Sequence, residues 1–140
     1  MRVLLDTCVI IDALQERVPF SKDAKKIFLL CANEQFIGYI TAKASTDIYY
    51  LMHKVTHDNK KSRFYLNQLF SLFECLDTTG TDCKKAIASQ VSDYEDAVMI
   101  ESATNANIDF IITRNEHDFS HSTIPIVSPH EFIKIIENND

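Results

Sequence analysis

The sequence predicts an α/β fold, specifically a three-layer α/β/α sandwich with a mainly parallel central sheet. Short apolar runs, such as residues 3–5 (VLL) and 110–112 (FII), end in polar residues and are typical of buried strands. Helical stretches separate these runs, and strands joined through helices need crossover connections, which make a sheet parallel. Only two glycines and three prolines occur among 140 residues. We therefore expect no linker or repeat, and a single domain over residues 1–140.

Strand and helix signals alternate along the chain. Strands are predicted over residues 2–6, 36–40, 74–77, 110–113 and 124–127. Helices are predicted from residue 7 to about 14, after a cap at Ser21, from about 44 to 55, from about 60 to 73, from a cap at Thr81 or Asp82 to about 89, from 92 to about 105, and after Ser128. Ser92 with Glu95, and Ser128 with Glu131, have the spacing of capping boxes, and Pro129 suits the first helical position.

Composition limits the classes of function. The chain is 46% hydrophobic and 24% charged, as is ordinary for a globular protein. No apolar run is long enough to cross a bilayer and no signal peptide is visible, so we expect a cytoplasmic protein without membrane association. Cys8, Cys31, Cys75 and Cys83 form no CxxC and are expected to be reduced, mostly buried thiols. The net charge of −6 argues against a simple electrostatic nucleic-acid binder, but not against a nuclease whose carboxylates hold a metal.

Aspartates follow several element boundaries. Asp6 ends the first strand, and ligands of open α/β sheets bind beyond the carboxyl ends of the strands. Asp93 and Asp96 lie three residues apart at a helix start and share a face. Because Ser92 and Glu95 already provide a cap, capping does not explain both aspartates, whereas a divalent cation would. With Asp47 and Asp118, these carboxylates predict a site for a hard cation.

Each candidate also has a purely structural interpretation. Asp6 would serve as a helix cap, Asp47 as part of a solvated helix face, and Asp118 as a turn residue. His53 and His57 lie four residues apart on a helix, but no third ligand has recognisable spacing, so they are interpreted as surface residues. No GxSxG, phosphate-binding loop or dinucleotide fingerprint occurs.

Together, four segments resemble the PIN domain family, particularly the single-domain VapC-type toxin ribonucleases. They are LLDTCVIIDAL with Asp6, ITAKASTDIYYL with Asp47, DYEDAVMIESA with Asp93 and Asp96, and IITRNEHDF with Thr113. The resemblance extends from about residue 2 to residue 132. One departure is Asn115, where the family often has an acid; asparagine offers oxygen but no charge, and Asp118 is the candidate substitute.

The resemblance implies metal-dependent hydrolysis of RNA phosphodiester bonds with Mg²⁺ or Mn²⁺. Asp6 and Asp96 would bind the metal most directly, and Asp47, Asp93 and Asp118 would complete its shell, partly through waters. Thr113 would hydrogen-bond a metal ligand or the phosphate. The candidate RNA-binding residues are Lys43, Lys54, Lys60, Lys61, Arg63, Arg114 and Asn115. The resemblance also implies a homodimer and a small antitoxin partner within a toxin–antitoxin pair.

Two other functions stay open. A catalytically weak or silent PIN-like module for RNA binding or scaffolding is favoured by Asn115. A phosphatase that forms a phosphoaspartate at Asp6 ranks lower. Haloacid-dehalogenase-like enzymes of that kind need a second aspartate two residues later, where this chain has Cys8.

Overall fold

The protein folds around one five-stranded parallel sheet. The computed structural model describes residues 1–139. The strands are β1 (Arg2–Leu5), β2 (Ile37–Thr41), β3 (Glu74–Leu76), β4 (Phe110–Ile112) and β5 (Ile126–Val127). Their order in the sheet is β3-β2-β1-β4-β5, and every neighbouring pair is parallel.

Helices cover both faces of the sheet, which confirms the predicted three-layer architecture. They are α1 (Thr7–Leu14), α2 (Ser21–Ala32), α3 (Ala42–Thr56), α4 (Asn59–Leu72), α5 (Gly80–Ala86), α6 (Tyr94–Asn105) and α7 (Pro129–Asn138), with a 3₁₀ helix at Glu116–Phe119. Helices α1 to α4 and α7 pack on one face, and α5 and α6 pack on the other. Among residues 1–139, no helix has the length and apolarity needed to span a membrane.

Alternation along the central strands divides the core into two layers. Val3 and Leu5 of β1 pack with the five-helix layer, whereas Leu4 packs with the opposite layer. In β2, Gly38 allows Phe73 to approach the sheet closely. A Cβ atom at position 38 would lie 2.6 Å from Cδ1 of Phe73 and 2.9 Å from Sγ of Cys31. No larger residue fits there without displacing these side chains.

The order of the strands places β1 at the centre. The chain moves outward from β1 to β2 and β3, and then returns to add β4 and β5 on the other side. At this reversal, the backbone N–H of Asp6 donates to the carbonyl of Ile112, at 3.0 Å. Ligands of open α/β sheets bind at such a reversal, beyond the carboxyl ends of the strands. Asp6 occupies that position, as the sequence predicted.

Three predicted helix caps are wrong, those of α2, α5 and α6. The cap of α6 is Asp93 rather than Ser92, and its Oδ1 accepts from the N–H of Asp96 at 3.0 Å. The cap of α5 is Thr79, and Asp82 is its partner in a capping box. Several neighbouring residues in each segment are good caps, so sequence preference alone does not select among them.

Other predicted boundaries also differ. Ser21 is the first residue of α2 rather than its cap, α5 ends at Ala86 rather than near residue 89, and β5 is shorter than predicted. The 3₁₀ helix was not predicted. Ser128 caps α7 with proline at its start, as predicted. All four cysteines are free thiols, but only Cys31 is buried and Cys75 is exposed, so the expectation of mostly buried thiols is wrong.

Candidate active site

Asp6 is a helix cap and also the centre of a buried polar cluster. Its Oδ1 accepts from the backbone N–H of Thr7 at 2.8 Å, which caps α1. Its Oδ2 accepts from Oγ1 of Thr113 at 2.8 Å and from Sγ of Cys8 at 3.5 Å. Burial raises the pKa of Asp6 although these hydrogen bonds act in the opposite direction. The interpretation of Asp6 as a helix cap is confirmed, and its part in a metal site stays a prediction.

The segment after β4 is fixed at Thr113. This residue is fully buried, its N–H donates to the carbonyl of Val127 at 3.0 Å, and its Oγ1 accepts from the N–H of Asn115 at 3.0 Å. The Oγ1 atom of Thr113 thus accepts from Asn115, and its hydroxyl hydrogen donates to Asp6. Burial and the charge of Asp6 raise the pKa of the Cys8 thiol to about 11. Cys8 is therefore a neutral thiol at physiological pH.

Asp96 lies in the first turn of α6 and faces other acids. Burial, followed by the charges of Asp6, Asp93, Asp118 and Glu95, raises the pKa of Asp96 to about 7. The sequence-predicted Asp6, Asp93 and Asp118 are thus each close enough to Asp96 to repel its charge, although Asp93 is also engaged as the cap of α6.

A cleft separates Asp6 and Asp96 from a lysine that lies between two acids. The Nζ of Lys43 lies 2.6 Å from Oδ2 of Asp47 and 3.2 Å from Oε1 of Glu95, which joins α3 to α6. Burial opposes its charge, but the bonds to these two carboxylates prevail and raise the pKa of Lys43. A cavity of about 40 Å³ between Asp6, Asp96 and this ion-paired group is large enough for about one water molecule or a small cation.

Most of the other predicted RNA-binding residues lie outside this cavity. Lys60 and Lys61 are in the first turn of α4, and the ammonium of Lys54 lies 5.6 Å from the ring centroid of Tyr50. Arg63 lines a groove with Ser45, Thr46 and Tyr49, in the part of α3 that contains Asp47. Asn115 is exposed, and its side chain does not cap the 3₁₀ helix.

Arg114 is held by a buried aspartate that the sequence analysis missed. Its Nε and Nη2 donate to the two carboxylate oxygens of Asp12 at 2.7 and 3.4 Å, and its guanidinium carbon lies 4.3 Å from the ring centroid of Phe20. Asp12 is only 1% exposed. A buried charge needs a partner, so this aspartate in the apolar pattern of α1 indicated a distant basic residue without showing which one.

The donor set fits a magnesium-like cation in chemistry. Mg²⁺ and Mn²⁺ prefer carboxylate oxygens, and Mg²⁺ is often held by one or two carboxylates with waters and substrate phosphates. Asp6 and Asp96 offer two such groups, and burial is the main cause that raises the pKa values of both. Over residues 1–139, no three Asp, Glu, His or Cys side chains converge closely enough to hold a metal by themselves. Any metal bound here would thus depend on water or phosphate ligands.

Comparison with known families agrees with this arrangement. A sequence profile described as the PIN domain matches residues 2–117 of the chain. The chain belongs to the PIN domain family. The predicted resemblance is confirmed, and the match includes the first three segments on which it was based and residues 111–117 of the fourth. No curated protein sequence matches this PIN domain significantly.

Solved structures with the same fold include toxins of toxin–antitoxin systems. A toxin–antitoxin complex from Klebsiella pneumoniae is 23% identical, with 91% of this chain and 97% of that chain covered and a TM-score of 0.65. VapBC-1 from nontypeable Haemophilus influenzae is 15% identical, with coverage of 93% and 99% and a TM-score of 0.67. VapC20 from Mycobacterium tuberculosis, described as a toxin that cleaves the sarcin-ricin loop, is 10% identical, with coverage of 88% and 98% and a TM-score of 0.65. At these identities, the similarity establishes the PIN fold.

Two residues of this PIN domain's cleft were not predicted as site residues. Glu95 was assigned only to a capping box, although it stands beside Asp96 in a run of acids that was itself a signal. Cys8 was interpreted as a reduced thiol and as a missing aspartate, whereas its thiol donates to Asp6. Glu95 lies next to Asp96 and Cys8 lies two residues after Asp6, so proximity in sequence to a predicted acid was the available signal.

Proposed function

We propose that this PIN domain is a metal-dependent endoribonuclease that hydrolyses RNA phosphodiester bonds. The supporting observation is the pair Asp6 and Asp96 at the carboxyl edge of the sheet, neither of which forms an ion pair among the described residues; burial raises the pKa of Asp6, and burial with the charge of Asp6 raises that of Asp96. A phosphate group would be repelled by these carboxylates alone. The proposed cofactor is Mg²⁺ or Mn²⁺, which would be bound by Asp6 and Asp96 with waters.

Within this proposal, the residues of the cleft have different tasks. When bound, the cation would supply a water of lowered pKa and offset charge on the phosphate oxygens. Thr113 orients the Oδ2 atom of Asp6 through its hydroxyl. Asp93 fixes the start of α6, and with it the position of Asp96. Asp118 adds negative charge on the open side of the cleft.

Substrate binding in this proposal begins with Lys43. Its ammonium lies between Asp47 and Glu95 at the border of the cavity, and an RNA phosphate would compete with these carboxylates for it. Arg63 lies against the turn of α3 that contains Asp47, and would extend the basic surface away from the cleft. The other predicted basic residues would contact RNA farther along the strand.

We further propose that the protein is the toxin of a toxin–antitoxin pair and forms a homodimer. The support is its family and its fold, which it shares with the chains of solved toxin–antitoxin complexes. A neighbouring open reading frame for a small protein would identify the antitoxin. Coexpression of the two should yield a complex that does not cleave RNA.

The decisive experiment measures RNA cleavage by the purified protein with Mg²⁺, with Mn²⁺ and with EDTA. We expect cleavage with either metal and none in the chelator. Asp109→Asn is the matched control for an Asp6→Asn variant, because Asp109 precedes β4 at the opposite edge of the sheet. Cleavage that persists in EDTA, or in Asp6→Asn at the rate of the control, would contradict the proposal.

Two alternatives are separated by the same assay. A silent RNA-binding or scaffold module would bind RNA without cleaving it, whichever metal is added. The lack of three converging metal ligands among residues 1–139 favours this alternative. A phosphatase acting through a phosphoaspartate at Asp6 would need a proton donor at position 8. The pKa of Cys8, about 11, makes it a poor one, so we rank the phosphatase below both.

A further inference from the structure

A second cavity opens at the same edge of the sheet, beyond the ends of β4 and β5. Its volume is about 210 Å³, and its lining includes Phe20, Asp23, Arg114, Pro129 and His130. Arg114 directly follows Thr113, whose hydroxyl binds Asp6. The cavity therefore adjoins the acidic cleft through one residue of the loop that leaves β4.

The walls of this cavity are flat and held in place. Phe20 is 43% exposed, and the guanidinium of Arg114 is stacked on its ring. The carboxylate of Asp12 accepts two hydrogen bonds from this guanidinium and so fixes the orientation of its plane. The side chain of Asp12 is itself almost fully buried. Aromatic rings and guanidinium planes are the surfaces on which proteins stack unpaired RNA bases.

The charges of the cavity favour a base over a phosphate. The carboxylates of Asp12 and Asp23 both line it, and Asp12 already takes up the charge of Arg114. A phosphate would thus be repelled, whereas a base is uncharged. Asp23 lies at the border, 3.7 Å from Nδ1 of His130, and its carboxylate can accept from an exocyclic amino group. The volume is below the roughly 300 Å³ at which pockets for drug-sized ligands begin, which suits a single heterocycle.

We propose that this cavity is a subsite for one unstacked nucleobase of the RNA, close to the phosphate that is cleaved. This proposal rests on the proposed ribonuclease function. Phe20 and Arg114 provide stacking surfaces, and Asp23 provides an acceptor. The subsite therefore prefers adenine, cytosine or guanine, whose exocyclic amino groups can donate to Asp23, over uracil, whose one donor on the base edge is the ring N3–H.

The first test changes the RNA and leaves the protein intact. A short single-stranded RNA with one cleavage site is prepared with a single abasic residue at each position in turn, and cleavage is measured with Mn²⁺. Stacking of one base contributes about 1–3 kcal/mol, so one position near the cleaved bond should raise KM about 5- to 150-fold with little change in kcat. At that position, uracil should also bind more weakly than the other three bases. An equal effect at all positions would overturn the proposal.

The second test uses a pair of matched phenylalanines. Phe20 and Phe70 are each 43% exposed, but Phe70 lies near the end of α4 that leads into β3, at the opposite edge of the sheet. Phe20→Ala should raise KM and remove the difference between the intact RNA and the sensitive abasic RNA. Phe70→Ala should leave that difference unchanged. If both variants behave alike, the cavity does not receive a base.

A third variant tests the acceptor and guards against misfolding. Asp23→Asn replaces the carboxylate by an amide that both donates and accepts, so discrimination against uracil should fall while thermal stability stays close to that of the wild type. Unchanged discrimination would contradict the role of Asp23.

Binding separates the failure of this inference from the failure of the proposed function. If the wild type cleaves no RNA, the anisotropy of a fluorescent single-stranded RNA is measured with the intact and abasic oligonucleotides. Weaker binding of one abasic RNA would support a base subsite in a module without nuclease activity. Equal binding of both, or no binding, would overturn the inference and leave the cavity to another partner such as a protein.

Discussion

The acidic cleft contains two pairs of carboxylates in opposite electrostatic states. Asp47 and Glu95 share the ammonium of Lys43. Asp6 and Asp96, on the other side, form no ion pair among the described residues, and both have raised pKa values. The two pairs have the same functional group and belong to one cavity. They differ in whether the protein supplies a cation.

The difference shows where an external cation would have most effect. Burial alone does not distinguish the sites, since Asp12 is almost completely buried and is neutralised by Arg114. Among the described residues that line the cavity, the carboxylates that form no ion pair are those of Asp6, at the end of β1, and Asp96, at the start of α6. A cation added there removes repulsion, whereas one added near Asp47 must displace Lys43.

The largest effect is expected from removing one uncompensated carboxylate. Asp6→Asn and Asp96→Asn should each lower the cleavage rate about 1,000-fold, because metal binding is proposed to supply several kcal/mol of transition-state stabilisation. Asparagine caps helices as well as aspartate does, so the fold should persist at Asp6. Kinetics and thermal unfolding of the same preparations would check both statements. Near-normal turnover in both variants would show that the site lies elsewhere.

The second effect concerns the stability of the metal-free protein. The pKa of Asp96 is about 7 in the folded protein and 3.8 ordinarily, so the folded state binds more protons between these pH values. Stability should therefore fall as pH rises from about 4 to 7. Allowing for solvent screening of a partly exposed carboxyl, we expect a loss of about 1–2 kcal/mol, or roughly 3–8 °C in Tm.

Thermal unfolding in EDTA between pH 4.5 and 8 would measure this loss, with Asp96→Asn as the test variant and Asp109→Asn as the control. The slope should be smaller in Asp96→Asn and unchanged in the control. Saturating Mn²⁺ should also flatten the wild-type curve. An equal slope in all three proteins would mean that another group controls the pH dependence.

A third effect is expected from removing the internal cation. Lys43→Met leaves Asp47 and Glu95 without a partner and makes the cavity more negative, so Mn²⁺ affinity should rise about 3- to 10-fold. The KM for RNA should rise as well, because a phosphate contact is proposed to be lost. Calorimetry with Mn²⁺ would test the first statement, with Lys134→Met on α7 as a control. Unchanged affinity would show that Lys43 does not compete with the metal.

The smallest effect is expected at the loop after β4. Asn115→Asp adds a charge where the family pattern often has one, and should lower the Mn²⁺ concentration for half-maximal cleavage about 2- to 5-fold. Asp118→Asn should raise it by a similar factor, since Asp118 acts on Asp96 through its charge. The double variant should recover part of the loss. If none of the three changes the metal requirement, this loop lies outside the metal's surroundings.

The sequence predicted the layers of the fold because each strand has a local signal. Continuous apolar runs that end in Asp6 or Thr113 indicate buried parallel strands, and the carboxyl ends of such strands meet at one edge. The strand ends predict that Asp6 and Thr113 lie at one edge, and their hydrogen bond confirms it, whereas Asp96 joins them from the start of a helix. Their roles in catalysis stay predictions.

Contacts between distant segments could not be predicted in the same way. Lys43 and Glu95 meet because α3 and α6 face each other across the cleft, and Arg114 reaches Asp12 across 102 positions of sequence. Each charged residue has many possible partners of opposite charge in this chain, so composition does not determine which two form an ion pair. The cap at Asp93 was missed for another reason, since Ser92 is an equally good cap by sequence preference.

The central position of β1 has a consequence for the time at which the protein can become active. The ribosome makes Asp6 near the start of the chain, whereas its hydrogen-bond partner Thr113 follows 107 residues later. Closing so long a loop is slow and costs chain entropy, so β4 docks beside β1 late in folding. Until the ribosome has made this part of the chain, the cleft lacks Thr113, Asp118 and the carbonyl of Ile112 that accepts from the N–H of Asp6. Synthesis order thus delays the toxic activity proposed here until nearly the whole domain has emerged.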